Sequence, residues 1–299
     1  MSFHEGELRI QERAGVLDEA GRVGQMLRRV ISPTPAAFLA AQRFIVLATA
    51  TDAGEVWVTA LSGPAGFLET GTEGRSLRIA ATPRSGDPAA PGLRPGAHVG
   101  LVAIDFVARR RYRVNGTVVT VGPELVVDVQ EAFGNCPKYI HGYQALPDGP
   151  VARKRGRSAA GLDEQRRRWI ERAETFFLGT LHRDAGADAS HRGGAPGFVR
   201  VTGPRDLSWG DYPGNQLFQS LGNAAVHPAT GLLFIEPESG STLQLSGRLE
   251  IDWSPEAASS IPGAERILRF HIERLVETPG VLPLRWAQGA PSPFNPPAP

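Results

Sequence analysis

DASHRGGAPGFVRV, residues 188–201, is a diverged copy of WVTALSGPAGFLET, residues 57–70, which lies 131 positions earlier in the chain. Both stretches pass through small residues into a Gly-Phe step. The later copy has Arg192 where the earlier copy has Leu61. The repeat predicts two related halves, and the unmatched arginine predicts that they differ in function.

Three further pairs of segments keep nearly the same offset: FIVLAT (44–49) with FFLGT (176–180), GLVAI (100–104) with GLLFI (231–235), and YRVNG (112–116) with LQLSG (243–247). A period near 130 residues is too long for a solenoid repeat and is typical of a domain. The sequence therefore predicts an internal duplication of one domain.

Short β patterns dominate both halves. Alternating or continuous apolar runs of strand length are separated by Gly, Pro, Asn and Asp, as in a barrel or sandwich. The runs 124–133 and 266–276 predict a closing strand in each half. Residues at the spacing typical of a helix occur in three segments, 7–31, 162–176 and 215–226. The predicted fold class is mainly β with flanking helices: two tandem split barrels that form an intrachain pseudo-dimer.

The predicted division of the chain has three parts. Residues 1–150 hold an N-terminal helix and the first barrel, and 163–299 hold the second barrel with an extended C-terminal tail. Between them, 151–162 form a basic linker, for which a solvated segment is favoured over a binding tail.

Composition excludes several classes of function. The 299 residues carry a net charge of +1, which gives no basis for binding nucleic acid or an anionic membrane. The single cysteine, Cys136, rules out an intrachain disulfide and a cysteine-based zinc cluster, and a structural role is expected for it. The charged N-terminus is unlike a signal peptide, so a cytoplasmic location is expected.

The usual motifs of dinucleotide, phosphate-loop, zinc-protease and serine-hydrolase chemistry are absent. What remains is the strand 188–194, whose alternation places Ser190 and Arg192 on one face and His191 on the other. A guanidinium and a hydroxyl that run into Gly193-Gly194 could cradle an anion. The alternative interpretation, an exposed strand with a solvated arginine, stays open from the residues alone.

ARRRYRVNG (108–116) places Arg109, Arg111 and Arg113 on one strand face and Arg110 on the other. Three like charges on one face repel unless an anion lies among them. We expect Arg111 or Arg113 to contact an anionic ligand; the alternative is a basic surface paired with carboxylates.

An ordered set of segments resembles the pyridoxamine 5'-phosphate oxidase-like family of FMN-binding split barrels. The segments are ADASHRGGAPGFVRV (187–201), GDYPGN (210–215), SLGN (220–223), HPATGLLF (227–234) and TLQLSG (242–247). The N-terminal FHEGE and the mid-chain GNCPKYI (134–140) resemble longer, tandem members. The resemblance extends from about residue 3 to 252.

The resemblance implies an FMN site between the barrels. Carried over residue by residue, Ser190 and Arg192 would meet the phosphate or ribityl chain, and the strand with Arg111 and Arg113 would reach across from the first half. The other implied contacts are the ring-lining Trp209, Gly210 and Asp211, the polar Asn215, Ser220 and Asn223, the adjacent His191 and Gly193, and Lys138, which with Tyr139 would cap the flavin or its phosphate. His191 departs from the proline that related members carry there.

The same resemblance predicts a second, degenerate cleft in the first half. Thr59 matches Ser190, but Leu61 matches Arg192. We expect FMN in the Arg192 cleft alone, with its sibling empty, structural or adapted to substrate.

The function implied is a flavoprotein oxidoreductase that passes hydride through FMN, with a small-molecule substrate and NAD(P)H as candidate partners. The tandem chain would act as its own dimer or pair further as a homodimer. The alternatives are a flavin carrier, a relative that binds haem through His191 or His98, a deazaflavin-binding relative, and a chain in which both clefts are inactive.

Overall fold

The structure is a computed structural model that describes residues 3–152 and 154–296. The helices are α1 (Glu5–Ala14), α2 (Leu17–Gly24), α3 (Pro33–Ala40), α4 (Glu164–Arg172), α5 (Gln219–Val226) and α6 (Pro255–Ser259). The strands of the first half are β1 (Phe44–Ala50), β2 (Val56–Ser62), β3 (Leu68–Thr70), β4 (Ser76–Ile79), β5 (His98–Asp105), β6 (Arg110–Val121), β7 (Leu125–Gly134) and β8 (Tyr143–Leu146). Those that follow are β9 (Arg157–Ala159), β10 (Thr175–His182), β11 (Gly186–Gly193), β12 (Val199–Gly203), β13 (Asp206–Asp211), β14 (Ala229–Ile235), β15 (Thr242–Asp252), β16 (Arg266–Thr278) and β17 (Arg285–Gln288).

Two antiparallel sheets have the same strand order. The first runs β2-β1-β5-β6-β7-β4-β3, and the second runs β11-β10-β14-β15-β16-β13-β12. Their registers also correspond, because Val102 pairs with Arg113 in the first sheet and Leu233 pairs with Gln244 in the second, each shifted by 131 positions. The predicted fold class, mainly β with two tandem barrel-like units that pair within the chain, is confirmed.

The two sheets pack against each other through a pair of equivalent glycines. A Cβ on Gly100 of β5 would lie 2.5 Å from the backbone of β11 at Asp188, and one on Gly231 of β14 would lie 2.8 Å from the backbone of β2 at Val56. Only glycine allows so close an approach. The apolar side chains around this contact come from both sheets and form a core of their own, separate from the core of each sheet.

The helical pattern over 7–31 is interrupted at Gly15, whose left-handed φ of 71° ends α1 before α2 begins. His4 and Glu7 cap the start of α1 reciprocally. The predicted helices at 162–176 and 215–226 form over shorter spans as α4 and α5, and the closing strands form as β7 and β16. The short helix α3 lacks amphipathic spacing and was not predicted.

Part of the basic segment 151–162 is ordered into the second sheet, since β9 pairs with β16. The C-terminal segment returns to the first half, where β17 pairs with β8. The division of the chain into domains at 150 and 163 stays a prediction. Within the described residues, no helix combines the length and apolar character needed to cross a bilayer.

Candidate anion-binding cleft

A narrow cleft lies where β6 of the first sheet faces β11, the end of β13 and the start of α5. Its enclosed part measures about 100 Å³. Eleven of the residues predicted for the site line it: Arg111, Arg113, Lys138, His191, Arg192, Gly193, Trp209, Gly210, Asp211, Asn215 and Ser220. The sequence therefore identified one continuous surface formed by both halves.

The wall on the second sheet is a chain of hydrogen bonds along one face of β11. Arg192 Nη1 donates to Ser190 Oγ at 3.1 Å, and Ser190 Oγ lies 2.9 Å from Ser220 Oγ in the first turn of α5. Ser220 Oγ donates to Asp188 Oδ2 at 2.5 Å. The strand alternation thus places Asp188, Ser190 and Arg192 together, and α5 is fixed against them.

The wall on the first sheet carries Arg111 and Arg113 on β6. Arg113 contacts the buried carboxylate of Asp188. Arg111 Nη1 donates to His191 Nδ1 at 2.8 Å, and the other ring nitrogen, Nε2, contacts Thr175 Oγ1. Because a guanidinium only donates, His191 Nδ1 carries no proton, and Nε2–H is the donor toward Thr175.

His191 is therefore a neutral spacer that positions Arg111. Burial, reinforced by the charges of Arg111 and Arg192, lowers the pKa of His191 well below its usual value. Both ring nitrogens are engaged, so neither is open to an axial metal such as haem iron. The haem alternative is not supported at this residue.

Positive charge in the cleft exceeds what the protein neutralises. In the part of the chain that the structure describes, neither Arg111 nor Arg192 has a carboxylate within salt-bridge distance. Asp211 instead pairs with Arg266 at 3.4 Å. Loss of hydration, together with the neighbouring charge of Arg192, lowers the pKa of Arg111 to about 10.

The same two causes act on Arg113. Burial comes first and the charges of Arg192 and Arg111 second, and together they lower its pKa to about 9. Burial also lowers the pKa of Arg192, against the attraction of Asp211. Each shift means that the charged form lacks solvation, which an anion in the cleft would supply.

Three buried donor atoms of cleft-lining residues have neither a hydrogen-bond nor an ion-pair partner among the described residues. They are Arg113 Nε, Arg192 Nε and Trp209 Nε1. Buried donors of this kind are normally satisfied. Together with the uncompensated guanidinium groups they fit the oxygens of a phosphate group, so the residues present suit the phosphate end of a flavin nucleotide.

The segment that carries Cys136, Lys138 and Tyr139 covers the cleft from the first half. Tyr139 has a left-handed φ of 65°, and its hydroxyl donates to the carbonyl oxygen of Pro213 at 3.0 Å. A Cβ on Gly193 would lie 2.1 Å from the Tyr139 carbonyl oxygen, so only glycine fits beneath this segment. Cys136 is partly exposed within the lining.

Backbone strain concentrates around this cleft. Of the five described non-glycine residues with positive φ, three line it: Tyr139, Gln216 and Phe218. Such conformations cost of order 1–3 kcal/mol each and are found preferentially at functional sites. The loop that enters α5 is therefore held in a conformation that its local sequence does not favour.

Two residues singled out in the sequence lie away from the cleft. Asn223 lies one turn beyond Ser220 on α5, where its Nδ2 donates to Thr180 Oγ1 at 3.2 Å, and it lines a neighbouring cavity instead of the cleft. Arg109 does not share the face of Arg111, because it precedes β6 in a turn with φ of 50° and donates to the Ala290 carbonyl oxygen at 3.0 Å.

Two other predicted residues have structural contacts in addition to their place in the lining. Asn215 Nδ2 donates to Asn135 Oδ1 at 2.8 Å, which joins the two halves at the cleft edge. The Trp209 ring packs edge-on against Phe176, with centroids 5.1 Å apart.

Several lining residues were not predicted from the sequence, among them Gln219 and Tyr212. Gln219 Nε2 donates to Glu131 Oε2 at 2.8 Å. No local pattern could have revealed this contact, because the partners are 88 positions apart. Tyr212 lies within the GDYPGN segment that was singled out, and its ring stands 5.5 Å from that of Tyr139.

The equivalent cleft of the first half is lined by Thr59, Thr242 and Gln244 at the positions of Ser190, Arg111 and Arg113. Leu61, at the position of Arg192, is 3% exposed and belongs to the apolar core of the first sheet. Asp87, which the sequence analysis did not identify, accepts a hydrogen bond from Thr59 Oγ1 at 2.6 Å. The three arginines of the second cleft thus have no counterpart here.

A group of His4, Glu5 and His182 has the composition of a metal site. However, His4 Nδ1 accepts from the Gly6 amide at 3.1 Å, and His182 Nδ1 accepts from the Ala185 amide at 3.0 Å. Each Nε2 is then the protonated nitrogen, and that of His182 points at Glu5 Oε1, 3.0 Å away. Two protonated nitrogens are donors and not metal ligands.

A scan against protein-family models finds no match, and a search of curated proteins finds no relative. Solved structures do resemble parts of the chain. An FMN-binding protein from Syntrophomonas wolfei is 10% identical over 38% of this chain and 84% of its own, with a TM-score of 0.30. A FAD-binding protein from Mesorhizobium loti is 13% identical over 42% of this chain and 97% of its own, with a TM-score of 0.27.

A third structure is a Clostridium acetobutylicum protein of the pyridoxinephosphate oxidase family that is related to general stress protein 26. It is 11% identical over 40% of this chain and 89% of its own, with a TM-score of 0.28. The neighbours are thus pyridoxamine phosphate oxidase-like and flavin-binding proteins, each about half as long as this chain. At these TM-scores the function must be argued from the cleft itself.

Proposed function

We propose that the cleft binds the phosphate group of a flavin nucleotide, FMN, and that the protein is an FMN-dependent oxidoreductase built by tandem duplication. One observation supports this most directly: Arg111 and Arg192 converge on the cleft without a carboxylate partner among the described residues. A buried charge without a partner is costly, and a phosphate is the ligand that guanidinium donors match best.

The size of the cleft supports phosphate as the group held between the arginines. Its enclosed part, about 100 Å³, is smaller than the roughly 300–1,000 Å³ typical of a site for a whole small ligand. Arg192 Nε and the backbone amides in the first turn of α5 would supply donors to the phosphate oxygens. The start of a helix also favours negative charge.

When bound, FMN supplies two-electron chemistry of its own, and the protein binds and orients it. The cleft residues suit that role, because they are donors fixed by neighbours and not a pair of groups arranged for proton transfer. His191 holds Arg111, and Ser190 holds Arg192. A small-molecule substrate and NADH or NADPH are the proposed partners.

Equilibrium titration of the purified protein with FMN and with riboflavin tests the phosphate assignment. We expect one FMN per chain and a Kd for riboflavin, which lacks the phosphate, roughly ten- to a hundredfold higher, as expected for loss of a charge-assisted contact of about 1.5–3 kcal/mol. Equal affinity for the two would refute the assignment.

Anaerobic reduction separates an enzyme from a carrier. With FMN bound, we expect NADH or NADPH to bleach the flavin absorption band, while dithionite serves as the positive control. Bleaching by dithionite alone would favour the carrier alternative.

A further inference from the structure

The first-half cleft contains a carboxylate from its own chain. Asp87 Oδ2 accepts from Thr59 Oγ1 at 2.6 Å, and Asp87 Oδ1 accepts from the Ala89 amide at 2.9 Å and from Gln244 Nε2 at 3.2 Å. Three donors on three different segments therefore converge on one carboxylate. Thr59 and Gln244 are 3% and 2% exposed, so these donors have little access to water.

Two of these donors occupy the positions of second-cleft residues. Thr59 pairs with Leu47 as Ser190 pairs with Leu178. Gln244 pairs with Leu233 as Arg113 pairs with Val102. The Asp87 carboxylate therefore lies among the first-half counterparts of the groups that line the anion-binding cleft.

Asp87 reaches this place because the connection after β4 differs from the connection after β13. In the second half the chain enters α5, which brings Ser220 to Ser190. In the first half it makes a turn through Asp87 and a short 3₁₀ turn, Ala90–Gly92. A carboxylate thus stands where the second half has a hydroxyl.

The surroundings remain basic around this carboxylate. Arg84, Lys154 and Arg155 also line the first-half cleft, and Arg84 Nη1 is buried without a hydrogen-bond partner among the described residues. The cleft measures about 220 Å³. It therefore has the charge and the space for a small anion once Asp87 is removed.

We propose that the Asp87 carboxylate acts as a built-in anion that occupies the first-half cleft, and that removing it opens a latent site for a phosphate-sized oxyanion. The position assigned to the anion rests on the proposed function of the second cleft. The chain then carries one open anion site and one that it fills itself, so one ligand per chain is expected without a collapse of the first cleft.

Equilibrium dialysis against inorganic phosphate tests the proposal on the full chain. We expect the wild type to bind one phosphate per chain and Asp87→Ala to bind two. Asp52→Ala, which removes an exposed carboxylate paired with Arg94, is the matched control and should bind one. Adding Thr59→Val to Asp87→Ala should return the value to one, because it removes a donor of the latent site.

The outcomes separate this proposal from the proposed function. A folded Asp87→Ala variant that binds no more phosphate than the wild type would overturn the latent site, and so would a wild type that binds two. No binding by the wild type but one phosphate on Asp87→Ala would refute the second-cleft assignment and retain the latent site. Should Asp87→Ala fail to fold, Asp87→Ser applies the same test with a smaller change in packing.

Discussion

The two clefts of this protein are built from equivalent strands in the same registers, but their lining side chains differ. Each is bounded by the edge strand of one sheet and the fourth strand in the order of the other. In the second cleft Arg111 and Arg192 have no carboxylate partner among the described residues, whereas in the first cleft a carboxylate of the chain itself, Asp87, lies among Arg84, Lys154 and Arg155. Three equivalent pairs differ: Arg192 and Leu61, Arg111 and Thr242, Arg113 and Gln244. The repeated strand arrangement therefore fixes where a cleft lies but not which side chains line it.

The second difference is a connection and not a strand. α5 follows β13, and its Ser220 completes the hydrogen-bond chain to Asp188. The matching connection in the first half contains only the short 3₁₀ turn Ala90–Gly92. It places Asp87, instead of a serine, in the cleft. Loops vary more freely than the strands they join, so this is where the two halves could diverge without disturbing either sheet.

The N-terminal helix reinforces only the second cleft. α1 lies against α5 so closely that a Cβ on Gly6 would stand 2.2 Å from the Gly222 carbonyl oxygen. Glu7 is 6% exposed in this contact. The first half has no α5 to receive such a helix, which makes α1 a second reason for the asymmetry.

The largest effect is expected when the missing arginine is placed in the first half. Leu61→Arg should lower the free energy of unfolding by about 3–5 kcal/mol, because a charge would replace a core leucine without adequate compensation. It should not add a second FMN, since Asp87 still fills the cleft. Urea unfolding and flavin titration measure the two effects.

Leu61→Met is the control for that variant, as a change of similar volume costs less than about 1.5 kcal/mol. Two FMN per Leu61→Arg chain would show that the arginine alone distinguishes the clefts.

The packing of α1 on α5 predicts a pH dependence. Burial, with the charge of Glu131 adding to it, raises the pKa of Glu7 from 4.5 to about 7. Glu7 therefore contributes stability below pH 4.5 that is lost as the pH rises through 7. Glu7→Gln is neutral throughout and should exceed the wild type by up to about 3 kcal/mol at pH 8, with little difference at pH 4.5.

Urea unfolding of both proteins at the two pH values checks this difference. Burial lowers the pKa of His4 to about 4, so the contribution of His4 to the stability of the protein is lost as the pH falls. This loss occurs in both proteins. Glu12→Gln on the exposed side of α1 should show no such change. A constant gap between Glu7→Gln and the wild type would contradict the prediction.

The repeat and one wall of the site could be predicted from the sequence because both give rise to regular spacings of residues along the chain. Strand alternation alone places Ser190 and Arg192 on one face, and the offset of 131 positions carries over into the strand registers. The contact between His191 and Arg111 spans 80 positions, and no local period encodes it. It exists because β6 of one half crosses the edge strand of the other.

The departures from the predicted positions have the same origin. The helical pattern at 215–226 does not show that α5 begins at Gln219, so it could not indicate that Ser220 lies in the first turn and Asn223 beyond it. Arg109 leaves the predicted strand face because the chain turns just before β6. Asp87 comes from a connection with no repeated counterpart, so the comparison of the halves could not reveal it.

Removal of the arginine from the second cleft makes it resemble the first. Arg192→Ala should weaken FMN binding roughly ten- to a hundredfold, the value of a charge-assisted contact. Fluorescence titration measures the affinity. Arg110→Ala, which removes a guanidinium stacked on Phe38 outside the cleft, is the control and should bind FMN as the wild type does. Comparable losses of affinity in both variants would mean that the overall positive charge of the protein, and not Arg192, attracts the ligand.

The smallest expected effect shows whether α5 only supports the cleft by packing or also contributes to ligand binding. Asn223→Ala removes a buried hydrogen bond to Thr180 and should cost about 1 kcal/mol of stability, with FMN affinity unchanged because Asn223 lies outside the cleft. Ser220→Ala, a similar truncation one turn earlier, removes the contacts to Ser190 and Asp188 and should weaken FMN binding as well as stability. If the two variants lowered affinity equally, α5 would act on the ligand only through its packing, and the hydrogen-bond chain along β11 would not be the feature that distinguishes the two clefts.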